Sequence, residues 1–567
     1  MLKNYILIAF RNLRKYKIYS LINVFGLALG MASCILILLY VQDELSYDQY
    51  HENADRIYRV SREWKNDNGE TSLHLGQVAP PIAPLLEKDY PEVLLAVRMI
   101  AFGGLVSYEN KHFDESNFYF ADPEFFEIFT LPLLAGDPTT VLKEPGNIVI
   151  TDEMAQKYFG MDDPIGKVIV FRGQFPLKVA GVMKKMPRNS HFHADFLGSM
   201  LALQNAYGDM EFQSWGSNNY ATYLLLPEDY LAEELIAKFP GFLDEHLTAR
   251  IIQATGQPPA QKPSERNFLH LQRLTDIHLH SHLDSELEPN GNIIYVYIFS
   301  AVAFFLLLIA CINFMNLATA RSANRAKEVG LRKVVGADRK GLIRQFIGES
   351  IFMAAVSLVI AIAFVYLALP WFSGFVEKEL SLNLFDNLTA IAGLIGIILF
   401  VGFVAGSYPA LFLSRFQPAT VLKGNQSEST SKSPFRMALV VFQFAISIIL
   451  IIGMGVVNDQ LEYCRSKDLG LVKENVIVLP ASQTMIQRYA DFKNQLLLHP
   501  TIVSVAASKR VPSGRLLDSS GAFVVDGENR QRINFRIANV RVDHDFIDTY
   551  NIELAAGRNF SVEYPTD

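Results

Sequence analysis

The residues best placed to do chemical or mechanical work form one run, Arg325-Ala-Lys327-Glu328-Val329-Gly330-Leu-Arg332-Lys333-Val-Val-Gly336-Ala337, with Gln345-Phe-Ile-Gly-Glu349-Ser350 soon after it. It holds no nucleophile beside a base and no cluster of metal-ligand spacing, so its chemistry is that of contact. A short charged helix bounded by glycines can seat in a groove on another protein and pass force to the chain on either side. The simpler reading is a charge cluster that stops membrane translocation and does nothing else.

Gly160-Met-Asp-Asp-Pro-Ile-Gly-Lys167 has five residues between its glycines where a phosphate loop has four, and Val168 where a magnesium-binding hydroxyl belongs. A turn leading into a strand explains it. His278, His280 and His282 alternate, which on a strand would aim all three one way, as metal ligands or as one polar face. The structural role is the preferred one. Glu349 falls inside an apolar stretch, where a carboxylate is costly; it is either a switchable contact or an interfacial group neutralised by Arg344. Gly26 with Gly30, and Gly402 with Gly406, have the spacing that lets membrane helices approach closely.

Positioning these residues requires a membrane. Half of the 567 residues are hydrophobic, yet 19% are charged, which points to spans joined to sizeable water-exposed domains. Five stretches reach the roughly 20 apolar residues that cross a core about 30 Å thick: 18–41, 293–317, 342–369, 388–413 and 437–457. Residues 1–17 place Leu2, Ile6, Ala9 and Leu13 at helical spacing, with Arg11, Arg14 and Lys15 on other faces, as a cytoplasmic interfacial helix would. The loop 318–341 is strongly basic, whereas residues 371–387 carry Lys378 alone beside Glu377, Glu379 and Asp386. The first loop is therefore expected in the cytoplasm and the second outside. Three cysteines cannot form a disulfide scaffold, and a formal net charge of −7 without a basic domain argues against nucleic acid as a partner.

The fold class expected is an α-helical polytopic membrane protein with α+β extracytoplasmic domains. The first such domain spans 42–291, and short β-rich runs such as Asn147–Thr151 and Lys167–Phe171 alternate there with helical ones. A linker at 424–436 leads to the fifth span and a second external region, 458–567. Asp122, Phe125, Leu131, Leu133, Ala135 and Gly136 recur at a constant offset as Asp543, Phe546, Ile552, Leu554, Ala556 and Gly557. This reads as a duplication, with 458–567 an incomplete second domain containing apolar strands such as Ile502–Ala507. On that reading a complete chain has eight spans and two external domains.

The motif at Arg325, Glu328, Val329, Gly330, Gly336 and Ala337 resembles the signature of the MacB/FtsX family of ABC transporter permeases. Ser407-Tyr-Pro-Ala410, Pro418 and Leu422-Lys-Gly424 resemble that family's ending to the fourth span, and Asn147–Thr151 through Asp163-Pro-Ile-Gly-Lys167 its periplasmic core domain. The resemblance implies a MacB-like core domain at 42–291 and an FtsX-like permease domain at 292–423 in a bacterial inner membrane. It implies that Arg325, Lys327, Glu328, Val329, Gly330, Arg332, Lys333, Gly336 and Ala337 seat on a cytoplasmic ABC ATPase dimer. ATP and Mg would then be bound by that partner, and no cofactor by this chain. A periplasmic or outer-membrane partner is a further implication. Known members export macrolides or peptides, extract lipoproteins or control peptidoglycan hydrolases. The alternatives are a membrane receptor, for which no output domain follows the spans, and a membrane-bound enzyme, for which the external domain offers no coherent catalytic constellation.

Overall fold

The computed structural model describes residues 17–320, 329–382, 388–414, 434–512, 519–520, 523–526, 529–532 and 537–564. The interfacial helix expected at the N-terminus and nearly all of the linker at 424–436 lie outside the described residues. Two compact units are present, residues 1–450 and 451–567.

In the first unit, helices α1 (Lys17–Leu45), α2 (Ile293–Ala320), α3 (residues 329–334), α4 (Arg339–Val376) and α5 (Leu388–Ser414) are followed by α6 (Pro434–Ser466), which runs into the second. All but α3 are long and apolar enough to cross a membrane. With 29 residues, α1 reaches roughly 44 Å at about 1.5 Å per residue, well beyond a hydrocarbon core of about 30 Å. Its far end is therefore a stalk. α1, α2, α4 and α5 share one apolar core built on Leu27, Met31, Cys311, Ala354, Ala361 and Val401. Alanines such as Ala28, Ala303, Ala310, Ala354 and Ala405 recur among its larger side chains, and small residues let helices in lipid pack closely.

Between α1 and α2 the chain folds into an α+β domain. Its strands are β1 (Ile57–Lys65), β2 (Thr71–Leu75), β3 (Leu95–Tyr108), β4 (Lys111–Ala121), β5 (Leu133–Ala135), β6 (Asn147–Thr151), β7 (Val168–Phe171), β8 (Phe175–Met183), β9 (Phe196–Ser199), β10 (Ala221–Leu225) and β11 (Asn267–Arg273). They form one sheet of order β11-β1-β10-β3-β4-β9-β6-β8-β5, with β2 on β1 and β7 on β3 and β8. β4 with β9 and β6 with β8 are parallel; the other pairs are antiparallel. β6 and β10 are buried at every position, as central strands covered on both faces are.

A buried polar network joins the stalk to this domain just beyond α1. Asp48 faces His191 Nδ1 at 2.9 Å, and His191 Nε2 lies 2.7 Å from the Tyr223 hydroxyl on β10. His51 accepts the Thr130 amide, and burial holds its pKa down to about 4, so the ring stays neutral.

Asp122 shows why the repeated block begins with an acid. Arg98 donates to it through Nε at 2.9 Å and Nη2 at 2.8 Å, and through its own amide at 2.7 Å, and both side chains are almost buried. Removing one partner from such a pair leaves a buried charge unanswered, at a cost of about 3–5 kcal/mol. Urea unfolding of the purified D122N protein is expected to show a loss of that order; a change below about 1 kcal/mol, the scale of an exposed pair, would contradict it.

The histidines at 278–282 do not form a strand face. Leu274–Asp276 is a 3-10 turn and Ile277–His280 a helical turn, so the rings diverge. His278 is buried and meets Glu44, His280 is exposed, and His282 meets Asn292. Gly160–Lys167 is the turn between a helix at Asp152–Phe159 and β7, with Lys167 paired to Asp162 at 2.9 Å.

The second unit contains the end of α6, helices at Gln483–Gln487 and Tyr489–Leu497, two short strand pairs and a helical turn at Phe546–Thr549. The strand expected at Ile502–Ala507 is absent: residues 502–507 carry no ladder, and Val503 is 94% exposed. Pairing begins only at residues 507–509, where Asp543 donates to the Ala507 carbonyl and Lys509 to that of Arg541. The two repeated blocks share local geometry. Phe125 N–H bonds the Asp122 carbonyl at 3.1 Å and Phe546 N–H that of Asp543 at 3.3 Å. The blocks end on glycines with φ of +99° and +91°, a conformation that L side chains rarely adopt.

Candidate functional site: the segment between the second and fourth helices

The C-terminal end of α3 follows from its sequence. Gly336 has φ +99°; its N–H bonds the Lys333 carbonyl at 3.1 Å, and the Ala337 N–H bonds that of Arg332 at 3.0 Å. This is the paired closure that a left-handed glycine gives a helix C-terminus. Asp338 then caps α4, accepting from the Gly341 N–H at 3.2 Å. Val-Val-Gly-Ala-Asp thus ends one helix and starts the next within three residues.

One face of α3 is built into the bundle. Val329 is 2% exposed and packs with Leu342 and Phe346 of α4 and Ala410 of α5. Its cations are used internally as well. Arg332 Nη1 donates to Gln345 Oε1 at 2.7 Å, and Gln345 Nε2 donates to Glu349 Oε1 at 3.0 Å, which takes a polar chain from α3 into the buried part of α4. Lys333 donates to the Ser414 carbonyl at 2.7 Å, and Arg339 Nε to the Ser414 hydroxyl at 3.4 Å. Ser414 ends α5, where the free carbonyls and the helix dipole favour cations. The opposite face carries Leu331 and Val334, each 62% exposed, followed by Val335 at 83%. Arg325, Lys327 and Glu328 lie outside the described residues.

The glycines divide in two. A Cβ on Gly402 would lie 2.5 Å from Ile351 Cγ1 and 2.7 Å from its Cα, and one on Gly406 2.8 Å from Ser350 Cβ, so α5 touches α4 at both. A Cβ on Gly30 would meet Ala310 Cβ at 2.5 Å, bringing α1 against α2. At Gly26 the nearest atom is Asn313 Nδ2 at 3.7 Å, an ordinary contact. Gly406 lies beside Ser350, the residue after Glu349, so one of the two close α4–α5 approaches adjoins the end of the Arg332–Gln345–Glu349 chain.

Two features went unread in the sequence. The outward aliphatics of α3 had a signal: a solvated charge cluster has no use for Leu331, Val334 and Val335. Lys378, described below, stood out as a lone cation, but its partners are more than 300 residues away in sequence.

Four spanning helices around one core, with an α+β domain between the first two and a glycine-closed helix before α4, are the architecture of a multi-pass membrane protein with one large domain outside the bundle. A family model described as MacB-like periplasmic core domain matches residues 20–239, and one described as FtsX-like permease C-terminal matches residues 300–418. The chain belongs to the MacB/FtsX family of permeases. It is 24% identical over 336 residues to the macrolide export ATP-binding/permease protein MacB of Neisseria meningitidis serogroup A, covering 58% of this chain and 47% of that one. It is 23% identical over 431 residues to MacB of Pasteurella multocida, covering 73% and 59%. The chain thus spans about half the length of the relatives it matches. Among solved structures, a domain of a putative permease protein from Porphyromonas gingivalis aligns with 44% of this chain and 98% of its own at TM-score 0.34 and 21% identity. The periplasmic region of MacB from Actinobacillus actinomycetemcomitans aligns with 38% and 89% at TM-score 0.26 and 17% identity.

Proposed function

We propose that this chain is the permease subunit of an ABC transporter, with ATP and Mg bound and hydrolysed by a separate cytoplasmic ATPase dimer. Motion of that dimer enters through α3. The observation that carries this reading is the division of labour on α3: Val329, Arg332 and Lys333 fasten it to α4 and α5, while Leu331, Val334 and Val335 stay exposed on the cytoplasmic side. A lever needs both a rigid attachment and a free contact face. The ATPase-facing residues are then the three aliphatics, together with Glu328 and its neighbours, and Arg332 and Lys333 transmit displacement into the bundle. Helices α1 and α2 carry it to the periplasmic domain, where it works on a substrate together with a periplasmic or outer-membrane partner; the name of the relatives, macrolide export ATP-binding/permease protein, supports export as that work. Residues 458–567 belong to a second core domain, supported by the shared geometry of the Asp122 and Asp543 blocks.

Purification of the intact protein from its native membrane tests this. An ATPase is expected to copurify; stoichiometric nucleotide binding by this chain without a partner would overturn the assignment.

A further inference from the structure

At the end of α1 one ammonium joins the loop after α4 to α1 directly and, through Glu44, to the segment before α2. α4 ends at Glu377, whose φ of +55° turns the backbone sharply and sends Lys378 inward. Its Nζ lies 2.6 Å from Asp43 Oδ2 and 2.8 Å from Glu44 Oε1, both at the end of α1. The other Glu44 oxygen is 2.9 Å from His278 Nε2, on the segment leading from the periplasmic domain to α2. Tyr47 stacks on the His278 ring and brings its hydroxyl to 3.4 Å from Lys378. Gly291, two residues before α2, passes so close that a Cβ there would lie 2.8 Å from both Glu44 Oε2 and His278 Nε2.

Burial works against the charge on Lys378, but the hydrogen bonds it donates to Asp43 and Glu44 outweigh that and hold the ammonium protonated above its usual range. The same loop meets the periplasmic domain again through Arg188 and Glu379 at 2.6 Å, an exposed pair of the kind that contributes little. Around these contacts lies a polar cleft of about 360 Å³, lined by Asp43, Tyr47, Lys185, Arg188, Glu377 and Glu379. Here the domain and the loop are bridged by ion pairs across a cleft, so the buried cluster carries most of the hold.

We propose that Lys378 is the bolt of a conformational latch: while it sits between Asp43 and Glu44, both stalks and the loop after α4 move as one body. Its release frees the periplasmic domain to shift against α4 and α5. An ion-pair bolt suits this task because it is bistable. It is either closed and desolvated or open and hydrated, and it leaves no apolar surface exposed when open.

The latch is independent of any ATPase and is tested without one. Spin labels at Met161, fully exposed in the periplasmic domain, and at Phe375, exposed near the end of α4, report the distance between the two bodies by pulsed electron resonance. The background is Cys464→Ser, the full chain is used, and the protein is held in lipid nanodiscs. The parent and Lys378→Arg are expected to give one narrow distance population, and Lys378→Gln a second one in addition. Should Lys378→Gln not reach the membrane, Asp43→Asn, which leaves Glu44 and His278 in place, is read in the same way and is expected to split the population as well. A single, parent-like distribution in the neutralised variant would overturn the latch.

Discussion

With Leu331 and Val334 both exchanged for aspartate, the protein is expected to reach the membrane but not to retain the proposed ATPase partner. Both side chains are largely exposed in the chain alone, so a charge there costs the fold little. In a complex they become buried, and each aliphatic is then worth about 1.5–3 kcal/mol. Loss of both corresponds to a fall in affinity of roughly 100-fold or more, at tenfold per 1.4 kcal/mol. Arg332→Ala is expected to behave differently. Its guanidinium bonds Gln345 inside the bundle, so the ATPase stays bound while stimulated hydrolysis falls. Pull-down and hydrolysis measured on the same preparations separate the two outcomes. Equal retention of the ATPase by the parent and the double aspartate variant would refute the assigned contact face.

The second large effect belongs to Gly402. A valine there would drive its Cβ onto the Ile351 backbone, at 2.7 Å from Cα, so α4 and α5 must separate. Overpacking of this kind costs about 1–3 kcal/mol when the neighbour can yield, and a helix backbone yields poorly. Thermal unfolding of G402V in detergent is expected several degrees below the parent. Gly26→Ala is expected to be near neutral, because its nearest neighbour lies at 3.7 Å. Equal stability of G402V and the parent would show that α4 and α5 do not pack as described.

How much of this was legible in the sequence depends on the range of the interaction. The spans were legible because a membrane imposes its thickness on any helix that crosses it, and runs such as 293–317 meet that requirement on composition alone. β6 shows itself through Ile148-Val-Ile150, which is buried on both faces. Ile502–Ala507 misled because β-branched residues promise a strand only if a partner ladder exists, and beside this stretch pairing is confined to its last residue. The histidines at 278–282 misled because alternation defines a face only in extended chain, and Ile277–His280 turns.

The candidate site was legible as a place and not as an orientation. Gly336-Ala-Asp338 states where α3 ends and α4 begins, since a left-handed glycine followed by an N-cap acid has few other uses. Which face of α3 looks outward depends on Gln345, Ser414 and Phe346, which approach it only in the folded bundle. The resemblance implies that Arg332 and Lys333 meet an ATPase; in the folded bundle they also bond Gln345 and Ser414. The Lys378 bolt is more remote still, because Asp43 and Glu44 precede it by a whole domain and two spans.

The claim on which the account rests is that α3 and the residues before it couple a separate ATPase to this membrane bundle. The direct measurement is ATP hydrolysis in lipid nanodiscs by the ATPase alone, by this chain alone, and by the two together with either the parent sequence or Glu328→Lys. The account predicts no hydrolysis by this chain alone, a rate for the parent complex distinctly different from that of the free ATPase, and a return to the free rate with Glu328→Lys in a normally inserted protein. Hydrolysis by this chain alone, or an ATPase rate indifferent to its presence, would contradict it.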